Sequence, residues 1–382
     1  MNMKNRQSPR QVIALWGAHR NPEKEKGREV PDHVDKGIRE LEHRGYMVYS
    51  IYPDLIRDRS PLFRRLLGNR GRCKAAVPAL LAVAYRTNAP LYTSAQEWAH
   101  ILATLKNLGL LRNRLIVRWA GIDIDLSAVR SGSAQGKAYE VIVSGADVCL
   151  LASMRLCDLL REAFPQYANK FMFWPTGVDM AFYAPFITDQ ESPARHDVVA
   201  VGSDNKRDWN LPINLAAHGV RVTLLTEDQK VVELVKRLDA SVAGNVTLKF
   251  NVGHLESAKI MASARCLLVA TLPNTRFSGS TTVGVAAALR KPLVIDDPYD
   301  AKAYGLVVGE SCETFERGNI ESALAAVRLV LDDAQHAVRL AKAIGKLGPK
   351  LEINGYADVL ERAFRHDWTG EDFRAGSVAS SD

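Results

Sequence analysis

A cluster of hydroxyl side chains is the feature of this sequence best suited to chemistry. It lies between the apolar run CLLVAT and an alanine-rich stretch, an order that predicts a strand, a loop and the start of a helix. Its members are Ser278, Gly279, Ser280, Thr281 and Thr282. Four hydroxyls, a flexible glycine and the N–H groups of a helix start can bind a phosphate, and nearby Arg276 and Lys291 favour an anion. Serine and threonine are also ordinary helix caps, so capping stays open as the alternative.

A second anion-binding candidate follows the first predicted strand of the second half. It reads GSDNKRDW, in which Gly202 allows a tight turn, Lys206 and Arg207 carry positive charge, and Asp208 is placed to cap the next helix. A solvated turn is the alternative interpretation. Because parallel strands end at one edge of their sheet, this segment and the hydroxyl cluster together predict a diphosphate site.

Two further segments belong to the first half. RWAGIDID, residues 118–125, follows a predicted strand, so its acidic residues belong near a cleft. Asp123 and Asp125 are alternate residues, so only one is expected to point into that cleft, and either can instead cap the next helix. WPTGVDMAFYAP, residues 174–185, closes the first half and on its own predicts only a connection.

Apolar runs alternate with amphipathic segments along the whole chain. This pattern predicts the α/β class, with two Rossmann-like doubly wound domains facing a central cleft that holds a ligand. Strands are expected at 11–17, 46–53, 115–119, 148–152, 171–174, 197–202, 221–226, 247–250, 266–271 and 292–296. Residues 54–110 receive no assignment.

The polar, proline-bearing stretch 184–195 predicts the boundary between the domains. We expect an N-terminal domain over 1–185, a linker over 186–196 and a C-terminal domain over 197–350. A helix over 351–368 is expected to pack back towards the N-terminal domain, and a disordered tail to cover 369–382.

Composition excludes several classes of protein. Of the 382 residues, 47% are apolar and 24% charged, as in a globular protein. No apolar run approaches the roughly 18 residues that span a membrane, and the first ten residues lack the apolar core of a signal peptide. Five cysteines without CxxC spacing predict reduced thiols, with neither a disulfide framework nor a zinc site. We therefore expect a cytoplasmic protein.

Positive charge is concentrated in the first half. Residues 1–185 carry a net charge of +10 and residues 186–382 a net charge of −3. The segment from Arg57 to Lys74 contains seven basic residues and one acid, interleaved with Leu and Phe. A solvated face is one interpretation; an anionic membrane surface is the other. Nucleic acid is not expected, because no binding motif or stacking position is evident.

The order of the motifs resembles the two-Rossmann (GT-B) glycosyltransferases, particularly family 4 and its relatives in bacterial polysaccharide assembly. The stretch SGSTTVGVAAALRKP is similar to the family's sugar-nucleotide segment SGxTTxLEAMAxGKP, and WPTGVDMAFYAP to its PNGVDxxxFxP signature. VGSDNKRDW resembles the opening of its donor domain, and RWAGIDID its acceptor-domain loop. The similarity spans roughly residues 114–365.

The resemblance implies a glycosyltransferase that moves a sugar from a nucleoside diphosphate to a saccharide acceptor, often lipid-linked, in exopolysaccharide, capsule or lipopolysaccharide synthesis. The donor would be held by Gly202, Lys206, Arg207, Arg276 and Ser278–Thr282, with no cofactor and no metal. Asp123 would be the general base of an inverting enzyme, or would position the substrates of a retaining one. Peripheral attachment through Arg57–Lys74 to the inner face of the cytoplasmic membrane fits this activity.

Two positions depart from the family pattern. Val285 stands where a glutamate usually binds ribose hydroxyls, and Arg290 stands where glycine usually precedes Lys-Pro. Valine cannot accept a hydrogen bond, so ribose recognition must come from elsewhere or be weaker. A non-catalytic glycosyltransferase-like subunit and a GT-B sugar-nucleotide epimerase therefore remain as alternatives.

Overall fold

Two parallel sheets form the framework of the protein. The computed structural model describes residues 10–16, 30–31, 37–51, 68–119, 125–187, 196–202 and 205–365, apart from the side chains of 68–76 and of residue 126. Within these ranges each sheet has six strands with helices between them. This is the two-domain, doubly wound architecture expected from the sequence.

The first sheet has the strand order β2-β1-β3-β4-β5-β6. Its strands are β1 (Gln11–Leu15), β2 (Met47–Ile51), β3 (Leu91–Thr93), β4 (Leu115–Trp119), β5 (Val148–Leu151) and β6 (Phe171–Phe173). Its helices are α1 (Ile38–His43), α2 (Gly68–Thr87), α3 (Gln96–Asn107), α4 (Leu126–Arg130), α5 (Ala134–Gly145), α6 (Met154–Ala163) and α7 (Met180–Tyr183).

The second sheet has the order β12-β11-β10-β7-β8-β9. Its strands are β7 (His196–Val201), β8 (Val222–Thr226), β9 (Val246–Phe250), β10 (Ala264–Val269), β11 (Leu293–Ile295) and β12 (Glu313–Thr314). The helices that follow are α8 (Asn210–Ala217), α9 (Gln229–Val235), α10 (Ala240–Ala243), α11 (His254–Ala262), α12 (Ser280–Leu289), α13 (Pro298–Ala303), α14 (Ile320–Asp332), α15 (Ala334–Gly345) and α16 (Ile353–Arg365).

The central strands are covered on both faces. All residues of β4, β5 and β8 are buried, because helices cover both faces of each parallel sheet. The ten strands expected from the sequence are all present, within a few residues. The structure adds β3 inside the unassigned stretch 54–110, and the two-residue strand β12.

The last described helix, α16, packs on the first domain. Tyr356 stacks on Trp174 with ring centroids 3.4 Å apart, and Arg44 of the first domain donates to Asp358 at 2.5 Å and to the carbonyl of Asn354 at 2.8 Å. Leu360, buried in the same cluster as Leu41, is fully enclosed. The chain therefore crosses back to its first domain after completing the second.

Gly284 on α12 packs closely against the first domain. A Cβ there would lie 2.1 Å from Cγ2 of Val178, whose N–H is bound to the Leu351 carbonyl at 2.7 Å. Gly284→Ala is therefore expected to destabilise the fold by about 1–3 kcal/mol through overpacking. Gly355→Ala is the matched control, because nothing lies within 4 Å of that helical position; there the alanine should stabilise by up to about 1 kcal/mol. Thermal denaturation should show shifts of opposite sign, and shifts of the same sign would contradict the close approach.

Candidate functional site

The strand order of the second sheet marks the place of a ligand. The strands β8 and β9 lie on one side of β7 and the strands β10, β11 and β12 on the other. The loops that follow β7 and β10 therefore leave the sheet in opposite directions and open a crevice at its carboxyl edge. GSDNKRDW is the loop after β7, and the hydroxyl cluster ends the loop after β10.

Backbone hydrogen bonds tie these two loops into one wall. The Leu272 N–H donates to the Lys206 carbonyl at 2.8 Å, and the Asp208 N–H donates to the Ala270 carbonyl at 3.0 Å. Asp208 also caps α8, as expected, since its carboxylate accepts the N–H groups of Asn210 and Leu211. Lys206 and Arg207 are thus held beside the segment that carries the hydroxyls.

The side chain of Arg207 crosses directly over Gly202. A Cβ on Gly202 would lie 2.5 Å from Nε and 2.6 Å from Cγ of Arg207, so only glycine allows this path. From there Nη2 of Arg207 donates to Oγ1 of Thr282 at 3.2 Å. The guanidinium therefore reaches the first turn of α12, where the helix N–H groups have no partner within the helix.

The hydroxyl cluster does not serve as a side-chain cap for α12. The residue at the N-cap is Gly279, which has no side-chain capping bond. Ser278 is buried, and its Oγ has no hydrogen-bond partner among the described residues. The hydroxyl of Ser280 accepts from Thr176 at 3.1 Å, and Thr281 is exposed.

The basic residues beside the cluster lie in different places. Arg276 bridges the two loops, since its Nη2 lies 3.4 Å from Oδ1 of Asn205. Lys291 follows the far end of the ten-residue helix α12, about 15 Å from the cluster. The expectation that Lys291 supports the hydroxyl cluster is therefore wrong: the helix between them separates the two.

The acidic loop of the first domain is described only in part. Asp123 lies outside the described residues. Asp125 is the N-cap of α4 and accepts the N–H groups of Ser127 at 2.9 Å and Ala128 at 3.2 Å. Hydrogen bonds from the Ser127 side chain and from these N–H groups lower the pKa of Asp125. Of the two alternate residues, Asp125 is therefore the one engaged in capping.

A polar network joins the first domain to the hydroxyl cluster through Arg118, Thr176 and Tyr304, which sequence reasoning did not single out. Arg118, buried at the end of β4, lies with Nη2 3.5 Å from Oγ1 of Thr176. Thr176 donates to Ser280, as above, and its N–H donates to the Tyr304 hydroxyl at 2.9 Å. Tyr304 donates in turn to the Ala152 carbonyl at 3.0 Å.

A second contact between the domains centres on Asp300 of α13. Its carboxylate is fully buried at the start of α6 in the first domain, where it accepts from the Ser153 hydroxyl at 2.9 Å and from the N–H groups of Met154 at 2.7 Å and Arg155 at 3.2 Å. Arg155 also donates to Asp297 at 3.0 Å. Burial, then the charge of Asp297, raises the pKa of Asp300 to about 6. We name this contact the Asp300 clasp.

The comparisons with known proteins identify the fold. No protein-family model matches the chain, and no curated protein matches it in sequence. It is similar in structure to Anabaena HepE in complex with UDP and glucose, with a TM-score of 0.67 and 14% identity over 92% of this chain and 98% of that one. The sucrose-phosphate synthase of Thermosynechococcus elongatus gives a TM-score of 0.70 and 15% identity over 94% and 99%. The chain has the GT-B fold.

A third structure of this fold is the catalytic domain of starch synthase IV from Arabidopsis thaliana bound to ADP and acarbose. It matches with a TM-score of 0.65 and 11% identity over 94% of this chain and 99% of that chain. The similarity therefore covers nearly the whole chain, which places both Rossmann-like domains and the cleft between them in one GT-B unit. The expected fold class is confirmed.

Two findings bear on what the crevice can bind. Val285 is buried in α12 and contributes no polar atom, so the helix that carries the hydroxyl cluster presents no carboxylate at that position. In the part of the chain that is described, no cluster of three or more His, Cys, Asp or Glu could hold a metal ion. The crevice at β7 and β10 is instead lined by a guanidinium, hydroxyls and a helix N-terminus, all of which suit an anion.

Proposed function

We propose that the protein is a glycosyltransferase that transfers a sugar from a nucleoside-diphosphate sugar. The observation that carries the proposal is the placement of Arg207, Ser278 and the start of α12 together at the switch point of the second sheet. These groups offer positive charge, a buried hydroxyl and helix N–H groups to one diphosphate. The GT-B proteins above support the proposal, since two of them were solved with UDP and with ADP.

Each donor-site residue has a role in this proposal. Arg207, positioned by Gly202 and Thr282, pairs with the phosphate charge. Ser278 donates its hydroxyl, and α12 directs its N-terminus at the phosphate beyond Gly279 and Thr281. Arg276 and Lys206 complete the basic rim. As the glycosidic bond breaks, these groups would stabilise the leaving nucleoside diphosphate without a metal or other cofactor.

The ribose of the donor needs another partner than α12. Because Val285 is apolar and buried, the usual carboxylate contact is missing. We propose that affinity for the donor depends more on the diphosphate than in related enzymes.

Two alternative functions predict other outcomes. A non-catalytic subunit of the same fold, the alternative raised by Val285, would bind the nucleotide sugar without consuming it. An epimerase would convert it without an acceptor.

The first domain is proposed to bind the acceptor, with Asp123 as the general base of an inverting reaction or as a positioning group of a retaining one. The acceptor we propose is a lipid-linked saccharide of bacterial surface polysaccharide synthesis, reached by peripheral attachment to the cytoplasmic membrane. The basic segment lies outside the described residues up to residue 67, and only the backbone of its remainder is described, as the start of α2. Within the described residues, no helix is long and apolar enough to span a membrane.

A thermal-shift panel tests the donor class. UDP-, GDP-, dTDP- and CMP-sugars are added separately, and one nucleoside diphosphate sugar is expected to raise the melting temperature well above the others. Consumption of that donor with an added saccharide acceptor would establish transfer. If no nucleotide sugar of the panel raises the melting temperature of the protein, the proposed donor site is contradicted.

Arg207→Ala is expected to weaken binding of that nucleoside diphosphate by roughly ten- to hundredfold, because a charge-assisted contact to phosphate is lost. A Thr281→Val and Thr282→Val double variant should weaken it too, since Thr282 positions the guanidinium. Arg237→Ala is the matched control: this arginine is exposed on the second domain, away from the crevice. Isothermal titration gives the dissociation constants, and unchanged affinity in both site variants would contradict the diphosphate assignment.

Membrane attachment through Arg57–Lys74 is tested by cosedimentation with liposomes. Binding is expected to anionic liposomes and not to neutral ones, and to fall sharply at 1 M salt, where the Debye length is about 3 Å. Replacing Arg64, Arg65, Arg70 and Arg72 by serine should abolish it at physiological salt. Equal binding to both liposome types would identify the segment as a solvated face.

A further inference from the structure

A basic pocket lies at the end of α12 that points away from the hydroxyl cluster. It is an open concavity of about 440 Å³ between the end of this helix and one face of α15. Its lining residues are Arg290, Val338, Ala341, Lys342, Gly345 and Lys346. Three of these six residues are cationic and none is acidic. We name this cavity the rear pocket.

The cations of the rear pocket are not neutralised by any described residue. Among the described residues, none forms an ion pair or a side-chain hydrogen bond with Arg290, Lys342 or Lys346. Basic residues near a helix C-terminus offset the negative end of the helix dipole, which explains why they occur at the ends of α12 and α15. It does not explain why all three line one concave surface, where their like charges repel one another.

The backbone of Arg290 adds an independent observation. Arg290 is the C-cap of α12 in the left-handed conformation, with φ 52° and ψ 47°. Glycine is the usual residue at such a helix end, because a Cβ is strained there. The stem of Arg290 lies against α15, since a Cβ on Gly345 would be 3.0 Å from its Cγ. A strained backbone thus carries a guanidinium at the edge of the pocket.

We infer that the rear pocket binds a phosphate-bearing ligand. The planar guanidinium of Arg290 matches two phosphate oxygens, and two ammonium groups come from Lys342 in the last turn of α15 and from its C-cap, Lys346. Val338 and Ala341 form an apolar wall for the carbon part next to the phosphate. The length of α12 separates this ligand from the donor diphosphate by about 15 Å, so the inference does not rest on the proposed function.

Titration calorimetry with two probes tests the inference and identifies the source of the phosphate. One probe is inorganic pyrophosphate, and the other is a short-chain, water-soluble phosphatidic acid that represents a lipid headgroup. The variants are Arg290→Gly and the double variant Lys342→Ser, Lys346→Ser. Glycine suits the backbone at position 290, so Arg290→Gly should keep or raise the melting temperature, and lost binding cannot then come from unfolding. The control is Lys230→Ser with Lys259→Ser, two exposed lysines elsewhere on the second domain.

Each pocket variant is expected to weaken binding about tenfold, while the lysine control changes it less than twofold. The Arg207→Ala variant, titrated in parallel, identifies any heat that comes from pyrophosphate at the crevice. If the pocket variants lose binding of the lipid probe alone, the pocket is assigned to a membrane headgroup. If they lose binding of pyrophosphate alone, it is assigned to a free phosphate. Binding that the pocket variants leave unchanged, equal loss in the control, or no binding of either probe to the unaltered chain would overturn the inference.

Discussion

Asp123→Asn is expected to lower turnover by roughly 10²–10⁴-fold while donor affinity stays within a factor of two. General base catalysis typically contributes an acceleration of that size, and asparagine keeps the shape of the side chain without its basicity. The donor diphosphate is proposed to bind the opposite domain, so its dissociation constant should not depend on Asp123. Steady-state kinetics with the donor selected by the thermal-shift panel gives both quantities.

Asp125→Asn is the matched control for this prediction. The Asp125 carboxylate is exposed and caps α4, and asparagine caps helices about as well as aspartate. Turnover should therefore stay near that of the unaltered chain. If Asp125→Asn is inactive and Asp123→Asn is normal, then Asp125, and not Asp123, points into the cleft. Normal turnover in both variants would exclude a general base at either position.

The framework of the fold was predictable because parallel strands covered on both faces are continuous apolar runs. LIVRW and VCLL occur as β4 and β5 where the sequence places them. The central strand β3 was not predictable, because it has only three residues, Leu91–Thr93, directly after Pro90. Such a segment carries no period of its own; pairing with β1 and β4 on its two sides makes it a strand.

The proposed donor site was predictable as two separate loops and not as one wall. Gly202, Arg207 and the hydroxyl cluster each have a local signature, which is a turn or a helix start. The bond from Arg207 to Thr282 joins residues 75 positions apart, and nothing local indicates it. Arg118 was equally hidden, since an arginine in a strand gives no sign that it will be buried beside Thr176.

The Asp300 clasp is the clearest case of a feature that the sequence conceals. Ser153 already supplies α6 with a side-chain cap, its hydroxyl accepting from the Leu156 N–H at 3.0 Å. No second cap is therefore expected for that helix. The additional carboxylate comes from 146 residues further along the chain, in the other domain. Only the packing of α13 against α6 brings it there.

Asp300→Ala is expected to destabilise the protein by about 2–4 kcal/mol, because the first N–H groups of α6 and the Ser153 hydroxyl lose a buried acceptor. Asp228→Ala is the matched control. Asp228 caps α9 within the second domain by accepting the Lys230 N–H at 2.9 Å, at an exposed position. Its loss should cost about 1 kcal/mol or less. Urea unfolding followed by tryptophan fluorescence compares the two, and equal effects would show that the clasp contributes no more than an ordinary cap.

The pH dependence of stability separates the charge of Asp300 from its hydrogen bonds. Burial raises the pKa of this carboxyl from 3.8 to about 6, so between these values the folded state holds a proton that the unfolded state has lost. The charged groups around it are Asp297, Arg155 and the Asp158–Tyr299 pair, with Arg317 bound to Asp297 behind them. The stabilisation that the protonated Asp300 carboxyl contributes is therefore complete below pH 3.8 and is lost as the pH rises through about 6. The free energy of unfolding falls by an amount on the order of 3 kcal/mol over this range.

Asp300→Asn should remove that part of the pH dependence while keeping the clasp. The amide oxygen can accept the N–H groups of Met154 and Arg155, and the amide nitrogen can donate to the Ser153 hydroxyl. Urea unfolding between pH 4 and pH 7 should show a flatter profile for Asp300→Asn than for the unaltered chain. The Asp228→Asn control changes a cap within the second domain, outside the clasp, and should keep the steeper profile. If both variants show the slope of the unaltered chain, the proton is held elsewhere, and Asp300 acts in the clasp as an ordinary ionised cap.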